Sequence, residues 1–228
     1  MTVLHLADDG EAADLAAFLS RLLRYDRSAA VRLQAAGTAL AVFGRPPSFE
    51  VLAIRAVRLA KPYEDGLDVT LDVTVSAGEL LESLDERAAT AAVPKAVTGP
   101  PWAGVLPPRG GWRPEPGLPA PQALRATVTA AVGEFRSRTE ELAPDGRTRA
   151  ELDRIGRDIW SRTVGGTPLP VRAVHAAQSL GFLRTSDATD QGDEVVLLSS
   201  GAWLRLRTPF GSIAVRRAGL GALGVSVR

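Results

Sequence analysis

The stretch that decides the fold reads LPVRAVHAAQSLGFLRTSDATDQGDEVVLLSSGAWLRL and covers residues 169–206. Its apolar residues first recur at helical spacing, and Gly181 then ends the helix. Short apolar runs predict strands over residues 182–185 and 195–198. The polar residues 186–193 between them predict a loop. The stretch therefore predicts one helix followed by a β-hairpin.

Two further helices are predicted ahead of this stretch, over residues 121–142 and from Thr148 to about residue 164, where Thr148 and Glu151 form a capping-box pattern. Three helices followed by a hairpin resemble winged-helix proteins in element order. The resemblance implies a module that presents its third helix and the hairpin tip to a partner. It concerns the order of elements alone and carries no residue-level function.

The face that the third helix would present carries Arg172, His175 and Gln178. Arg and Gln are good readers of base edges, which favours DNA as a partner. The loop over residues 186–193, however, holds three Asp and no cation. A tip of this charge is repelled by phosphates, and it suits docking to another protein better.

Residues 1–93 predict a different unit. Residues 2–6 predict a strand, and Asp8 or Asp9 caps a helix that runs to about Arg24. Apolar and polar residues alternate strictly over residues 67–75, which predicts a half-buried strand. Ser76 and Glu79 form a capping-box pattern that predicts the start of a second helix. Together these patterns predict a helix, an antiparallel meander of about four strands and a closing helix.

Residues 94–121 join the two units and hold nine of the 16 prolines of the chain. This density of proline disfavours helices and central strands and favours an extended conformation. The segment also carries Trp102 and Trp112, whose exposure to water is costly. We expect a strap that packs on one or both units, with both indoles largely buried. The predicted fold is thus α+β, with an N-terminal α/meander unit (1–93), the strap (94–121) and a winged-helix-like unit (122–228).

Composition limits the possible functions. Hydrophobic residues make up 45% of the 228-residue chain and the formal net charge is +1. Residues 1–93 hold 9 basic and 14 acidic residues (−5), whereas residues 94–228 hold 18 and 12 (+6). The opposite signs favour two units. Heavy use of Ala and Arg with little Lys indicates a GC-rich bacterial genome. The sequence shows no signal-peptide pattern and no apolar run of membrane-spanning length, so a cytoplasmic protein without a membrane partner is expected.

Arginines form two groups. Five of them lie near the second C-terminal helix: Arg147, Arg149, Arg154, Arg157 and Arg162. Their spacing predicts ion pairs on a solvated face, namely Glu151 with Arg154, Asp153 with Arg157 and Asp158 with Arg162. The second group is Arg205, Arg207, Arg216 and Arg217, after which no acidic residue follows in the chain. Arg205 and Arg207 alternate with leucines and should point out of a strand. This group is the better candidate for binding an anion. Two structural roles could also explain these arginines, namely protection of a sheet edge against aggregation or a contact with the acidic N-terminal unit.

Signatures of catalysis and of cofactor binding are missing from the sequence. It contains no Cys and only two His, and it lacks the phosphate-loop, dinucleotide, Gly-x-Ser-x-Gly and zinc-protease motifs. We therefore expect no cofactor and no metal. The leading hypothesis is a non-catalytic interaction or regulatory protein that binds another protein or an acidic surface. The alternatives are a DNA-binding regulator and a small-molecule enzyme whose site only the fold assembles.

Overall fold

The computed structural model of the chain describes residues 2–60, 71–184 and 195–217. Three predicted features lie partly or wholly outside these residues. They are the beginning of the alternating stretch 67–75, Thr185 at the end of the strand predicted over residues 182–185, and the acidic loop over 186–193. Within the described residues the protein is a mixed α+β structure with five α-helices and two antiparallel sheets.

The N-terminal part begins with strand β1 (Val3–His5) and helix α1 (Asp9–Tyr25). The Asp8 carboxylate caps α1 by accepting the Glu11 amide at 2.8 Å, as predicted. Strands β2 (Ala30–Ala36), β3 (Ala39–Gly44), β4 (Leu52–Arg58) and β5 (Asp72–Ser76) follow. Helix α2 (Ala77–Glu82), capped by Ser76, and strands β6 (Leu84–Asp85) and β7 (Thr90–Ala92) complete this part.

The C-terminal part supplies strand β8 (Arg113–Pro114), followed by helices α3 (Pro121–Glu140), α4 (Arg149–Trp160) and α5 (Val171–Ser179). The Thr148 hydroxyl caps α4 by accepting the Glu151 amide at 3.3 Å. Strands β9 (Val196–Ser200), β10 (Trp203–Thr208) and β11 (Gly211–Arg216) end the described chain.

One eight-stranded antiparallel sheet spans both parts, with strand order β5-β2-β3-β4-β11-β10-β9-β8. The two parts join where β11 pairs with β4, with Ser212 opposite Ile54 and Ala214 opposite Leu52. A smaller sheet has the order β1-β7-β6. The C-terminal strands therefore do not form a separate wing, because β11 finds its second partner in the N-terminal meander.

The strand predicted over residues 182–185 is wrong for Phe182 and Leu183, which lie in a turn. Gly181 ends α5 with φ 76°, and the Gly181 and Phe182 amides donate to the Gln178 and Ala177 carbonyls at 3.0 and 2.7 Å. This double hydrogen bond is a Schellman cap, and it directs the apolar residue after glycine back onto the core. Phe182 stacks on Phe18 of α1, with ring centroids 5.7 Å apart. The apolar run is thus a helix cap rather than a strand.

The large sheet has helices on one face and the strap on the other. Its inner residues, such as Leu33, Leu204 and Leu206, are fully buried in one core with residues of α1, α2, α3, α4 and α5. Its outer face carries a second, smaller apolar cluster under the strap. The strap therefore covers part of the outer face of the sheet, and solvent contacts the rest of that face.

Candidate functional site

The strap crosses the outer face from one end of the sheet to the other. The Val97 amide donates to the Thr74 carbonyl of β5 at 2.9 Å, and the Ala103 carbonyl accepts from Arg32 Nη1 of β2 at 2.6 Å. At the far end Arg113 pairs with Ser199, and the Glu115 amide donates to the Leu197 carbonyl at 2.8 Å. The strap is therefore a bound part of the fold.

Both strap tryptophans have most of their surface buried and a smaller part exposed, as expected for side chains that pack on the fold. Trp102 packs on the outer apolar cluster of Phe43, Leu52, Ile54 and Ala214. The Trp112 indole donates to the Pro108 carbonyl at 3.0 Å.

Arg205 and Arg207 project from the outer face of β10, because Leu204 and Leu206 between them occupy the core. The Arg205 side chain is half-buried, and its guanidinium lies 5.8 Å from the Trp112 ring centroid. Its Nε is buried and has no hydrogen-bond partner among the residues that the structure describes. Burial, together with the nearby Arg207 charge, lowers the pKa of Arg205. Arg207 is exposed.

Arg216 of β11 stands opposite Trp203 and places its guanidinium 5.3 Å from the indole centroid. Neither Arg205, Arg207 nor Arg216 makes an ion pair within the described residues. Arg217 is different, since its guanidinium binds the Glu115 carboxylate of the strap. Arg205, Arg207 and Arg216 form what we term the arginine face.

Helix α5 directs its predicted partner face towards the N-terminal part. Arg172 Nε lies 3.9 Å from the Glu50 carboxylate. The His175 ring stacks on Trp160 with centroids 4.6 Å apart and meets Phe49 edge-on at 5.1 Å. Burial lowers the pKa of His175, so its neutral form is favoured. Gln178 remains exposed. Arg172 and His175 therefore hold the chain together at this point.

The arginines near α4 form the predicted salt-bridged face with one change of partner. Arg154 pairs with Glu151 and Arg162 with Asp158, as their spacing predicts. Asp153, which we expected to pair with Arg157, pairs instead with Arg149 at 3.3 Å. Arg149 lies four residues before Asp153 and Arg157 four residues after it, so the spacing allows either pair. These charges are largely satisfied within the chain.

A buried ionic cluster joins α1 to β4, and sequence patterns gave no sign of it. Glu11, only 9% exposed, accepts from Arg55 Nη2 at 2.8 Å and from Arg58 Nε at 2.8 Å. Arg55 also lies 3.3 Å from the Asp14 carboxylate and donates to the Phe210 carbonyl at 2.9 Å. From the sequence, the acidic residues at the start of α1 predict a helix cap and no ion pairs with β4. The cluster ties the N-terminal helix to the β10–β11 turn.

Two neighbouring clefts open on the molecule, and the smaller one is lined in part by Arg216 of the arginine face. The larger has a volume of about 790 Å³ and the smaller about 360 Å³. Arg45, Glu50 and Trp102 line both of them. Ser48 and Glu50, in the loop between β3 and β4, take φ values of 74° and 53°. Such left-handed conformations are strained for residues other than glycine and are often found at functional sites.

The described residues contain neither a metal-binding cluster nor a membrane-spanning helix. Among them, no group of three or more His, Asp or Glu side chains is placed to hold a metal ion. Nor does any described helix combine the length and apolar character needed to cross a membrane.

Two known families match two successive segments of the chain, and the boundary between these segments lies within the strap. Residues 107–220 match a family described as Domain of unknown function (DUF8185), and this match covers half of the chain. The chain belongs to the DUF8185 family. Residues 1–104 match a second family, Domain of unknown function (DUF8010). No curated protein matches the chain. The DUF8185 segment supplies the arginine face, and the smaller cleft is lined by both segments.

Proposed function

We propose that this protein is a non-catalytic interaction or regulatory protein, and that its arginine face binds an acidic surface of a partner protein. The observation that carries the proposal is that the Arg205 charge is not compensated within the described residues. Arg205 makes no ion pair with any described residue, and both its burial and the nearby Arg207 charge disfavour its charged form. A carboxylate of a partner that meets the accessible part of this guanidinium would offset both effects on its charge.

The geometry of the arginine face suits a protein partner. Arg205, Arg207 and Arg216 lie on the outer face of adjacent strands, because Arg205 is paired with Ala214 and Trp203 with Arg216. Trp203 and Trp112 offer aromatic surface beside these cations. Arginine and tryptophan are enriched among the residues that dominate binding energy at protein interfaces.

DNA is the second candidate, and the structure offers it less support. In a winged helix the third helix reads the major groove with its exposed face. Here Arg172 and His175 of that helix contact Glu50 and Phe49 of the same chain. The order of three helices before strands still corresponds to winged-helix docking modules, and we propose that the C-terminal segment has this docking use.

The experiment compares two fluorescent probes, a ten-residue polyglutamate peptide and a 20-base-pair duplex, by anisotropy at 150 mM salt. We expect the peptide to bind, and Arg207→Glu with Arg216→Glu to weaken its binding at least about tenfold, because two exposed attractive charges become repulsive. The matched control is Arg136→Glu with Arg157→Glu, two exposed arginines on α3 and α4. Equal loss in both double variants would refute the arginine face. Tighter binding of the duplex than of the peptide would favour the DNA-binding alternative.

A further inference from the structure

The smaller cleft has the lining of a small-molecule site. Trp102 of the strap and Trp203 of β10 supply aromatic walls, and Val51, Leu52 and Ala214 supply an apolar floor. Its volume of about 360 Å³ lies at the lower end of the range typical of ligand sites. Both indoles are half-buried, so each ring has one part fixed by packing and another part open to the cleft.

The charged residues of this cleft give it a net positive character. Arg45 and Arg216 line it, both are exposed, and neither has an ion-pair partner among the described residues. Glu50, the acidic residue in the lining, faces Arg172 at 3.9 Å. The Arg216 guanidinium is held near the Trp203 ring. An anionic group therefore has two cations available beside two aromatic rings.

The loop that carries Arg45 is held in an unusual conformation. Two of its residues, Ser48 and Glu50, have positive φ. Between them Phe49 is buried and packs edge-on against both Tyr25 and His175. Packing of this kind fixes a strained backbone in one conformation, which prepares a binding site before the ligand arrives.

We propose that this cleft binds a small molecule that has a planar aromatic ring and an anionic group such as a carboxylate, sulfonate or phosphate. The ring lies against Trp102 and Trp203, and the anion binds Arg45 and Arg216. Stacking and cation–anion contact together account for the types of residue that line the cleft. This inference goes beyond the proposed protein-binding role, because the ligand is a small molecule and the cleft includes Arg45 and Trp102 outside the arginine face.

The test uses two dyes with the same aromatic body. Anilinonaphthalene sulfonate carries the anion, and N-phenyl-1-naphthylamine is its neutral counterpart. We expect the folded full chain to bind the sulfonate dye with one-to-one stoichiometry and to bind the neutral dye more weakly. Arg45→Gln should weaken binding of the sulfonate dye about tenfold and leave the neutral dye unchanged. Arg87→Gln, an exposed arginine outside the cleft lining, is the control.

Trp102→Leu and Trp203→Leu test the aromatic walls separately, so the proposal remains testable if one variant fails to fold. A folded variant of either kind should bind both dyes more weakly. Equal binding of the two dyes by the parent chain, equal loss in Arg45→Gln and Arg87→Gln, or dye binding without a defined stoichiometry would overturn the proposal. These results can be distinguished from those of the polyglutamate experiment, because Arg45 and Trp102 lie outside the arginine face and Arg216, which the two sites share, is left unchanged here.

Discussion

Replacement of Glu11 by alanine tests the account of the buried ionic cluster. The carboxylate accepts from Arg55 and Arg58, both at 2.8 Å, and Arg55 is only 6% exposed. Removing one partner of a buried pair typically costs about 3–5 kcal/mol, because the remaining charge loses its compensation. Asp14 remains 3.3 Å from Arg55, so we expect the lower end, about 3 kcal/mol.

For a chain of this size, each kcal/mol lowers the melting temperature by about 2–4 °C. Glu11→Ala should therefore melt about 6–12 °C below the parent in a circular-dichroism scan, with urea unfolding as the second measurement. Glu140→Ala, an exposed position near the end of α3, is the control and should melt like the parent.

The double variant Glu11→Leu with Arg55→Met should recover much of the loss, since an apolar pair avoids an uncompensated buried charge. Melting of Glu11→Ala within about 2 °C of the parent would refute the reasoning, because an exposed pair has an effect of that size. It would mean that water reaches Arg55 and replaces the carboxylate.

Three further predictions concern the strap, the α5 contact and the β10–β11 turn. Trp102→Ala should lower stability by about 2 kcal/mol in urea unfolding, less than the usual cost of a fully buried Trp because part of the side chain remains exposed. Burial lowers the pKa of His175 from 6.5, so the unfolded chain takes up the proton first as the pH falls. The urea midpoint should be unaffected by this group above about pH 6.5 and should fall at lower pH; His175→Phe should show a smaller decrease between pH 8 and 5. Gly211→Ala should destabilise strongly, since φ is 156° and a Cβ would lie 2.6 Å from the Phe182 ring, whereas Gly201→Ala, with open space at φ 54°, should cost about 1 kcal/mol by thermal unfolding.

Local patterns predicted local structure well. Asp8, Ser76 and Thr148 cap their helices because a cap depends only on a side chain and an amide three residues ahead. The alternation around Arg205 and Arg207 likewise fixed which residues of β10 face outward. Both kinds of prediction concern neighbours in sequence.

Long-range pairing was beyond these patterns. Nothing local indicates that β11 pairs with β4, although Ser212 and Ile54 are opposite each other in the sheet. Glu11 and Arg55 are 44 positions apart, and each alone is an ordinary surface residue in the sequence. The residues after Gly181 were misinterpreted because a helix cap and a short strand share the same apolar pattern. The clefts depend on the path of the strap, which proline density alone does not define.

The β4–β11 pairing has a consequence for expression of the two family segments as fragments. A cut between residues 104 and 107 would leave β4 as an unpaired edge in one fragment and β11 in the other. Both edges are rich in buried residues, among them Leu52, Ile54, Ile213 and Val215. Exposed edges of this kind recruit strands from other molecules. Each fragment alone should aggregate, and mixing them during refolding should restore a soluble complex.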